Sequence, residues 1–281
     1  MRVGEALTSL VDFFKKKGVE SPSVDAEWLL ASVLNCSRLD LYAVNYDRTL
    51  SKTQIEQLRS LSVRRGRREP LQYILGNVDF YGQKLIVDDR VLIPRPETEE
   101  LIYQLQQYWG DKAPQKGLDL GTGSGAIAIA LTSLYPHLQM TATDISISSL
   151  DLAMENAESN RVDKQIKFVH TSWFQKLHET FDFIISNPPY LTQKEVDEAA
   201  PEVRLFEPMQ ALVSAENGLA DLKHIIAEAR SFLKPKGMLV LETGLEQHEI
   251  LAGWAQKSGF VQTKTTLDLS RRERYFWCWR D

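Results

Sequence analysis

The chain has 281 residues, of which 43% are hydrophobic and 25% are charged, and its formal net charge at pH 7 is −5. This composition is typical of a globular protein with one large or two unequal domains, and it argues against a broad basic surface for nucleic acid. The two cysteines, Cys36 and Cys278, and the five scattered histidines have no metal-ligand spacing, so we expect a reduced protein that holds no metal.

The first 76 residues have the apolar spacing of α-helices. Apolar side chains recur three and four residues apart over 3–14 and again over 26–34. Ser51 is a candidate N-cap for a third helix that runs towards Arg68. We therefore predict a small N-terminal helical domain over residues 1–76.

The N-terminal helix also bears on where the protein works. It mixes acidic and basic side chains with its apolar ones, unlike the uninterrupted apolar stretch of a signal peptide. No later segment is long and apolar enough to cross a bilayer. These features predict a cytoplasmic protein with no membrane partner.

A basic run closes the third predicted helix, with Arg64, Arg65, Arg67 and Arg68 around Gly66. Such a run is usually a solvated helix end, where positive charge also interacts favourably with the helix dipole. The alternative is a contact with an acidic protein partner. We favour the solvated helix end.

A β-hairpin is predicted after the helical domain. Residues 80–93 are rich in strand-forming side chains, and we place the turn at Asp88 and Asp89. We expect residues 77–96 to be a connector between two domains.

From residue 97 to 281 helical and strand patterns alternate. Such alternation predicts an α/β fold, a doubly wound and mainly parallel seven-stranded sheet covered by helices on both faces, as in Rossmann-like proteins. The last two strands are joined without a helix, so we expect them to pair antiparallel. The predicted strands are 117–120, 139–143, 166–170, 181–186, 238–241, 259–267 and 274–279, and the predicted helices include 101–109, 126–135, 147–159 and 219–232.

A glycine-rich loop follows the first strand of this sheet. Glycines let the backbone approach a ligand, and the helix that begins after the loop offers free N–H groups. Asp144 ends the next strand, where a carboxylate can accept both hydroxyls of a ribose. The loop residues are Asp119, Gly121, Thr122, Gly123, Ser124 and Gly125.

Two cofactors are compatible with this loop. The spacing of Gly121, Gly123 and Ala126 also satisfies the dinucleotide pattern, so a dehydrogenase remains an alternative. Asp119 favours S-adenosylmethionine, because the ammonium group of that cofactor needs a nearby anion. A plain strand-to-helix turn with a packing aspartate is the third interpretation.

The most informative segment is the NPPY loop, Asn187 to Tyr190, which follows the apolar strand 181–186. Pro188 and Pro189 fix two successive φ angles and remove two N–H donors, so the loop presents carbonyl acceptors and an Asn amide in a stiff arrangement. Such a loop can hold a planar NH₂ group and direct its lone pair at a methyl donor, which favours methyl transfer largely by positioning.

The chain resembles the class I methyltransferases that modify a glutamine side chain in bacterial peptide chain release factors. The resemblance covers essentially the whole chain, and the segment from Pro94 to Glu99 is its most discriminating part. It includes REPLQYILG at 68–76, LIPRPETE at 92–99, the glycine-rich loop, the NPPY loop and VRLFEP at 203–208.

The resemblance implies a role for each matching residue. Gly121 through Gly125 would wrap the methionine part of S-adenosylmethionine, Asp144 would hold its ribose, and Trp173 would lie on the adenine side. Many relatives have an acidic residue before this tryptophan. Here it is Ser172, whose hydroxyl is a candidate acceptor for the adenine amine.

For the substrate, the resemblance implies that Asn187 and the Pro188 carbonyl accept hydrogen bonds from a glutamine amide. Pro189 stiffens the loop, and Tyr190 would pack the aliphatic stem of that glutamine. Asn187 would also contact the cofactor.

The resemblance thus implies methyl transfer to the N5 atom of a glutamine in a release factor, with the helical domain docking that factor and the enzyme acting as a monomer without nucleic acid. Three alternatives stay open. They are a methyltransferase for a ribosomal protein glutamine, a methyltransferase for a nucleobase amino group, and a non-catalytic binding protein.

Arg95 and Glu97 lie in the most discriminating segment, and two interpretations of them are equally weighted. They line the mouth of the cofactor or substrate site, or they form salt bridges that fix the hairpin.

Overall fold

The computed structural model describes residues 1–281, which form thirteen α-helices and nine β-strands. The helices are α1 Val3–Lys16, α2 Pro22–Leu34, α3 Arg38–Ala43, α4 Lys52–Gly66, α5 Leu71–Leu75, α6 Pro96–Trp109, α7 Ala126–Leu134, α8 Ile147–Ser159, α9 Gln193–Glu198, α10 Pro201–Phe206, α11 Ala215–Gly218, α12 Ala220–Phe232 and α13 His248–Lys257. The strands are β1 Asn77–Phe80, β2 Gln83–Ile86, β3 Lys116–Leu120, β4 Gln139–Asp144, β5 Ile166–His170, β6 Phe181–Ser186, β7 Leu233–Glu242, β8 Gln262–Leu267 and β9 Glu273–Trp279. No helix combines the length and the apolar character needed to cross a membrane.

The chain folds into two compact units. A helical unit comprises residues 1–76 and 200–206, and a larger α/β unit comprises residues 77–199 and 207–281. The helical unit therefore includes α10, which the sequence pattern does not assign to it.

The helical unit forms because amphipathic helices bury their apolar sides against one another. Val3, Phe14, Leu29 and Leu30 are fully buried in its core. Ser51 caps α4 as predicted: its hydroxyl accepts the N–H of Gln54, and the Gln54 side chain accepts the N–H of Ser51.

The prediction of a solvated helix end at the end of α4 is wrong for Arg65, which is buried. Arg65 is only 5% exposed and forms ion pairs with Asp25 at 2.6 Å and with Glu202 of α10 at 2.8 Å. Arg68 also pairs with Glu202, at 2.6 Å. Within the helical unit, these pairs hold residues 200–206 against helices that lie far away in the sequence.

The α/β unit contains one seven-stranded sheet in the order β5-β4-β3-β6-β7-β9-β8. The pairs from β5 to β7 are parallel, and β9 pairs antiparallel with both β7 and β8. The predicted fold class is confirmed, including the antiparallel final pair. Strands β4 and β5 extend the sheet on one side of β3, and β6 and β7 extend it on the other, which creates the crevice where such sheets bind ligands.

Side chains alternate between the two faces of this sheet, as strand geometry requires. Phe183 and Ile185 point into a core that α6 and α7 cover, whereas Leu118 and Ile184 point into a second core that α12 and α13 cover. Both faces are buried, which explains why the central strands read as continuous apolar runs.

The predicted hairpin exists, but its turn was wrongly placed. Strands β1 and β2 pair antiparallel around Tyr81 and Gly82, whose φ angles are 47° and 77°. Two central residues with positive φ are typical of the tight hairpin turns that match strand twist. Asp88 lies beyond the hairpin and instead binds Arg90.

The hairpin belongs to the α/β unit because Asn156 of α8 holds it. The Asn156 side chain accepts the N–H of Ile86 at 2.6 Å and donates to the Ile86 carbonyl at 3.0 Å. The same amide group also donates to the carbonyl of Ser124 in the glycine-rich loop, at 2.9 Å.

Candidate active site

Strand register places four chemically important residues at one edge of the sheet. Leu120 of β3 is the register partner of Thr143 in β4 and of Ser186 in β6, and Ser186 is the partner of Leu241 in β7. The residue after each of these register partners lies at the carboxyl end of its strand. After Leu120, Thr143, Ser186 and Leu241, these residues are Gly121, Asp144, Asn187 and Glu242.

The glycine-rich loop turns from β3 into α7 through left-handed backbone. Gly121, Gly123 and Gly125 have φ angles of 70°, 54° and 82°, a region that side chains other than glycine rarely adopt. A Cβ on Gly123 would have no heavy atom of the protein within 4 Å, so the loop faces open space there.

Asp119 lies under this loop and is completely buried. Its Oδ2 accepts the hydroxyl of Thr122 at 2.6 Å, whereas its Oδ1 has no hydrogen-bond partner. Burial raises the pKa of Asp119 to about 7, because the charged form loses solvation in this apolar core. A buried acceptor without a partner costs free energy unless a ligand or water supplies a donor.

Asp144 is bonded on both of its carboxylate oxygens. Oδ2 accepts the N–H of Gly123 and Oδ1 accepts the N–H of Ser146, each at 2.9 Å. Burial raises the pKa of Asp144, and the backbone donors oppose that shift. Each oxygen has a second lone pair, so the carboxylate can still accept two hydroxyl groups.

A cavity of about 380 Å³ lies over these residues. It contains seven of the predicted site residues, which come from four separate stretches of the chain. They are Gly121, Gly123, Asp144, Ser172, Trp173, Asn187 and Pro189. The rest of its wall includes Arg90 to Leu92 and the residues 208, 210, 211, 213 and 221.

Trp173 forms part of this wall in an unusual backbone conformation. Its φ angle is 46°, which is rare for a bulky side chain and is typically found at functional sites. Its indole ring lies 3.7 Å from where a Cβ on Gly121 would be, so the ring packs over the glycine-rich loop.

The other predicted residues do not line the cavity. Asp119 is buried beneath the glycine-rich loop, Thr122 and Ser124 are buried within it, and Gly125 is the N-cap residue of α7. Pro188 is buried within the NPPY loop, and Tyr190 points towards β7.

A chain of hydrogen bonds runs from the NPPY loop into the interior. Asn187 Nδ2 donates to Thr98 Oγ1 at 3.0 Å, and Thr98 Oγ1 donates to Glu242 Oε2 at 2.7 Å. The phenol of Tyr190 donates to the other oxygen of Glu242 at 3.1 Å. Burial raises the pKa of both Glu242 and Tyr190, and the phenol remains a neutral donor.

The backbone of Tyr190 is also held in place. Its carbonyl accepts the side-chain amide of Gln247 at 3.3 Å. Gly218 approaches so closely that a Cβ there would lie 2.2 Å from this carbonyl oxygen. Only glycine fits at position 218, where φ is 80°, so the packing leaves the end of the NPPY loop little freedom.

Arg95 and Glu97 both form ion pairs and do not line the cavity. Arg95 pairs with the buried carboxylate of Glu207 at 2.6 Å, and Glu97 lies 3.7 Å from Arg272. The salt-bridge interpretation is therefore the better one, although the partners lie outside the hairpin.

The sequence patterns did not identify Thr98 or Glu242. Thr98 lies inside the discriminating segment 94–99, and Glu242 is the last residue of its strand, as Asp144 is. The rule that ligands bind beyond the carboxyl ends of parallel strands would have identified Glu242.

The fold and this edge of the sheet define a methyltransferase of the doubly wound class. Two family models match the chain: the PrmC N-terminal domain over residues 5–76 and the methyltransferase small domain over residues 97–218. The chain is also similar in fold to a solved structure of the hMettl16 catalytic domain in complex with the MAT2A 3'UTR hairpin 6. The TM-score is 0.60 at 20% identity, covering 78% of this chain and 81% of the other.

Relatives with close sequence similarity define the family more narrowly. The chain is 37% identical to a release factor glutamine methyltransferase of Rhodopirellula baltica, over 94% of this chain and 91% of the relative. It is 38% identical to one from Geobacter sulfurreducens, over 91% of this chain and 89% of the relative. The chain belongs to the release factor glutamine methyltransferase family.

Proposed function

We propose that the protein transfers a methyl group from S-adenosylmethionine to the N5 atom of a glutamine side chain in a bacterial release factor. One observation carries the proposal. The Asn187 side chain, with the NPPY loop, stands at the carboxyl edge of the sheet in the same cavity as Gly121 and Asp144.

The residues around the cavity fit S-adenosylmethionine. Asp119 has a buried oxygen without a partner, which suits the ammonium group of the cofactor. Asp144 retains lone pairs for two ribose hydroxyls, and the open space at Gly123 admits the methionine part. When bound, S-adenosylmethionine supplies an electrophilic methyl group on a positively charged sulfur.

The NPPY loop would act by orienting the substrate nitrogen. Because Asn187 Nδ2 is bonded to Thr98, the carbonyl oxygen Oδ1 is the atom that would accept one N–H of the glutamine amide. The Pro188 carbonyl would accept the other. With both N–H bonds held, the nitrogen lone pair points out of the amide plane, and methyl transfer is favoured by orientation.

The experiment is a transfer assay with labelled S-adenosylmethionine and purified release factor, run beside a ribosomal protein and RNA as competing substrates. We expect label in the release factor alone. Asn187→Ala should lower kcat by about 100-fold or more, because one of two aligned acceptors is lost. Calorimetry should show cofactor affinity within a few-fold of wild type.

A different distribution of label would reject the proposal. Label in the ribosomal protein or in RNA would favour the corresponding alternative substrate. Equal losses of transfer and of cofactor affinity in Asn187→Ala would indicate that Asn187 has only a structural role.

We further propose that the helical unit docks the release factor, and that the enzyme works as a monomer in the cytoplasm, where release factors act. Two features support docking by this unit. Its family model is the PrmC N-terminal domain, and large apolar side chains on and beside α3 are exposed, with Leu39 at 75% and Val44 at 76%.

A further inference from the structure

We propose that Thr98 and Glu242 are positioning residues that determine which face of the Asn187 amide meets the substrate. The inference rests on the proposed function and adds two residues to it. The three side chains come from α6, β7 and the loop after β6, yet they form one continuous hydrogen-bonded chain.

The direction of this chain follows from Glu242. Its two oxygens accept from Thr98 and from Tyr190, the pattern of an ionised carboxylate, which can accept but cannot donate. Burial raises the pKa of Glu242, and the hydrogen bonds from Thr98 and Tyr190 together with the positive charge of Arg274 oppose that shift. Thr98 must therefore give its single proton to Glu242.

The hydrogen bond from Thr98 to Glu242 determines which end of the Asn187 amide faces Thr98. With its proton committed to Glu242, the Thr98 oxygen can only accept, so it must face an N–H donor. Asn187 consequently turns Nδ2 towards Thr98 and leaves its carbonyl oxygen for the substrate. If the Asn187 amide were flipped by 180°, its carbonyl oxygen would face the Thr98 oxygen, which is also an acceptor. Its NH₂ group would then face the NH₂ group of the substrate amide, which is also a donor.

Because Thr98 and Glu242 are buried, an Asn187 amide in the flipped orientation would cost free energy. Thr98 and Glu242 are 4% and 1% exposed, so water does not readily replace a lost partner. A buried polar group left without a partner costs considerably more than the net value of one hydrogen bond. The interior of the protein thus orients a group at its cavity surface.

The test removes the hydroxyl of Thr98 or the acceptor character of Glu242 while preserving shape. Thr98→Val leaves Asn187 Nδ2 without an acceptor. Glu242→Gln lets a carboxamide donate to Thr98, which permits the whole chain to reverse. Each variant should lower kcat by about 100-fold, the scale of a misoriented reacting group, with KM for S-adenosylmethionine unchanged.

Two controls separate orientation from packing. Thr98→Ser restores a hydroxyl and should recover at least about tenfold of the kcat lost in Thr98→Val. Thr132→Val removes another buried hydroxyl, one that bonds only to helix carbonyls, and should leave kcat unchanged. Wild-type kcat in Thr98→Val, or equal losses in the Val and Ser variants, would overturn the inference.

A second readout does not depend on the substrate. The Asn187 side-chain NH₂ resonance, assigned by its absence in Asn187→Asp, should exchange slowly with deuterium in the wild type and faster in Thr98→Val and Glu242→Gln. Equal exchange rates would reject the inference even if the release factor were methylated normally. Slow exchange in the wild type together with faster exchange in both variants would support the inference, even if the true substrate were another amide.

Discussion

At the scale of single residues, the site depends on buried polar groups more than on exposed ones. Asp119 and Glu242 each interrupt an apolar core, one beneath the glycine-rich loop and the other beside Tyr190 of the NPPY loop. Burial raises the pKa of both carboxyl groups. Burying such groups costs free energy, and a ligand or an oriented neighbour offsets that cost.

The pKa of Asp119 leads to a testable pH dependence. Because this pKa is raised to about 7, the carboxyl group becomes neutral as the pH falls through 7, and the attraction that we propose for the cofactor ammonium is lost. Affinity for S-adenosylmethionine should fall by about tenfold between pH 7.5 and 5.5. Calorimetry across this range measures it.

Asp119→Asn is the control for this prediction. The variant keeps the shape but cannot titrate, so its affinity should be weaker at pH 7.5 and should change less with pH. Any slope that remains would come from groups that both proteins share, such as Asp144. Identical slopes in the two proteins would show that Asp119 does not hold the ammonium group.

At the scale of elements, patterns that depend on neighbouring residues were predictable. The glycine-rich loop, Ser51 as the cap of α4 and the alternation of helices and strands all follow from local conformational preference. The hairpin turn was misplaced because Tyr81 requires a positive φ that its side chain disfavours, whereas Asp88 and Asp89 suit a turn better.

The segment around α3 carries the prediction for substrate docking. Leu39→Ser together with Val44→Ser should raise KM for the release factor by about tenfold, because the variant loses apolar surface that would be buried against the release factor. The kcat and the cofactor affinity should stay at wild-type values. Steady-state kinetics with varied release factor measures the effect.

Val261→Ser provides a matched control for docking. Val261 is also exposed, at 66%, but belongs to the α/β unit. This substitution should leave KM for the release factor unchanged. An equal rise of KM in both proteins would show that surface hydrophobicity in general, and not the α3 segment, governs binding.

At the scale of the whole molecule, the sequence predicted the sheet but not the full membership of each unit. Residues 200–206 join the helical unit through Glu202, which is 134 positions from Arg68 in the chain. No local pattern encodes such a pairing, since a basic run looks the same whether its charges are solvated or buried. The contacts of Thr98 with Asn187 and Glu242 escaped prediction for the same reason.

The features of the two units suggest that catalysis and substrate docking are carried out by different parts of the chain. The α/β unit contains the cavity, the glycine-rich loop and the NPPY loop, while the helical unit carries exposed apolar side chains and the family's own N-terminal domain. Residues 191–214, which follow the NPPY loop, contribute to both units. We propose that recognition of a large protein substrate is the reason for this arrangement.

We propose that the NPPY loop presents a glutamine amide of a release factor to the methyl donor. Mass-spectrometric mapping of a release factor after incubation with the enzyme and S-adenosylmethionine tests it most directly. We expect one added methyl group on the side-chain nitrogen of a single glutamine, and no added methyl group when Asn187→Ala replaces the wild type. A methyl group on any other residue, or an unmodified factor, would contradict it.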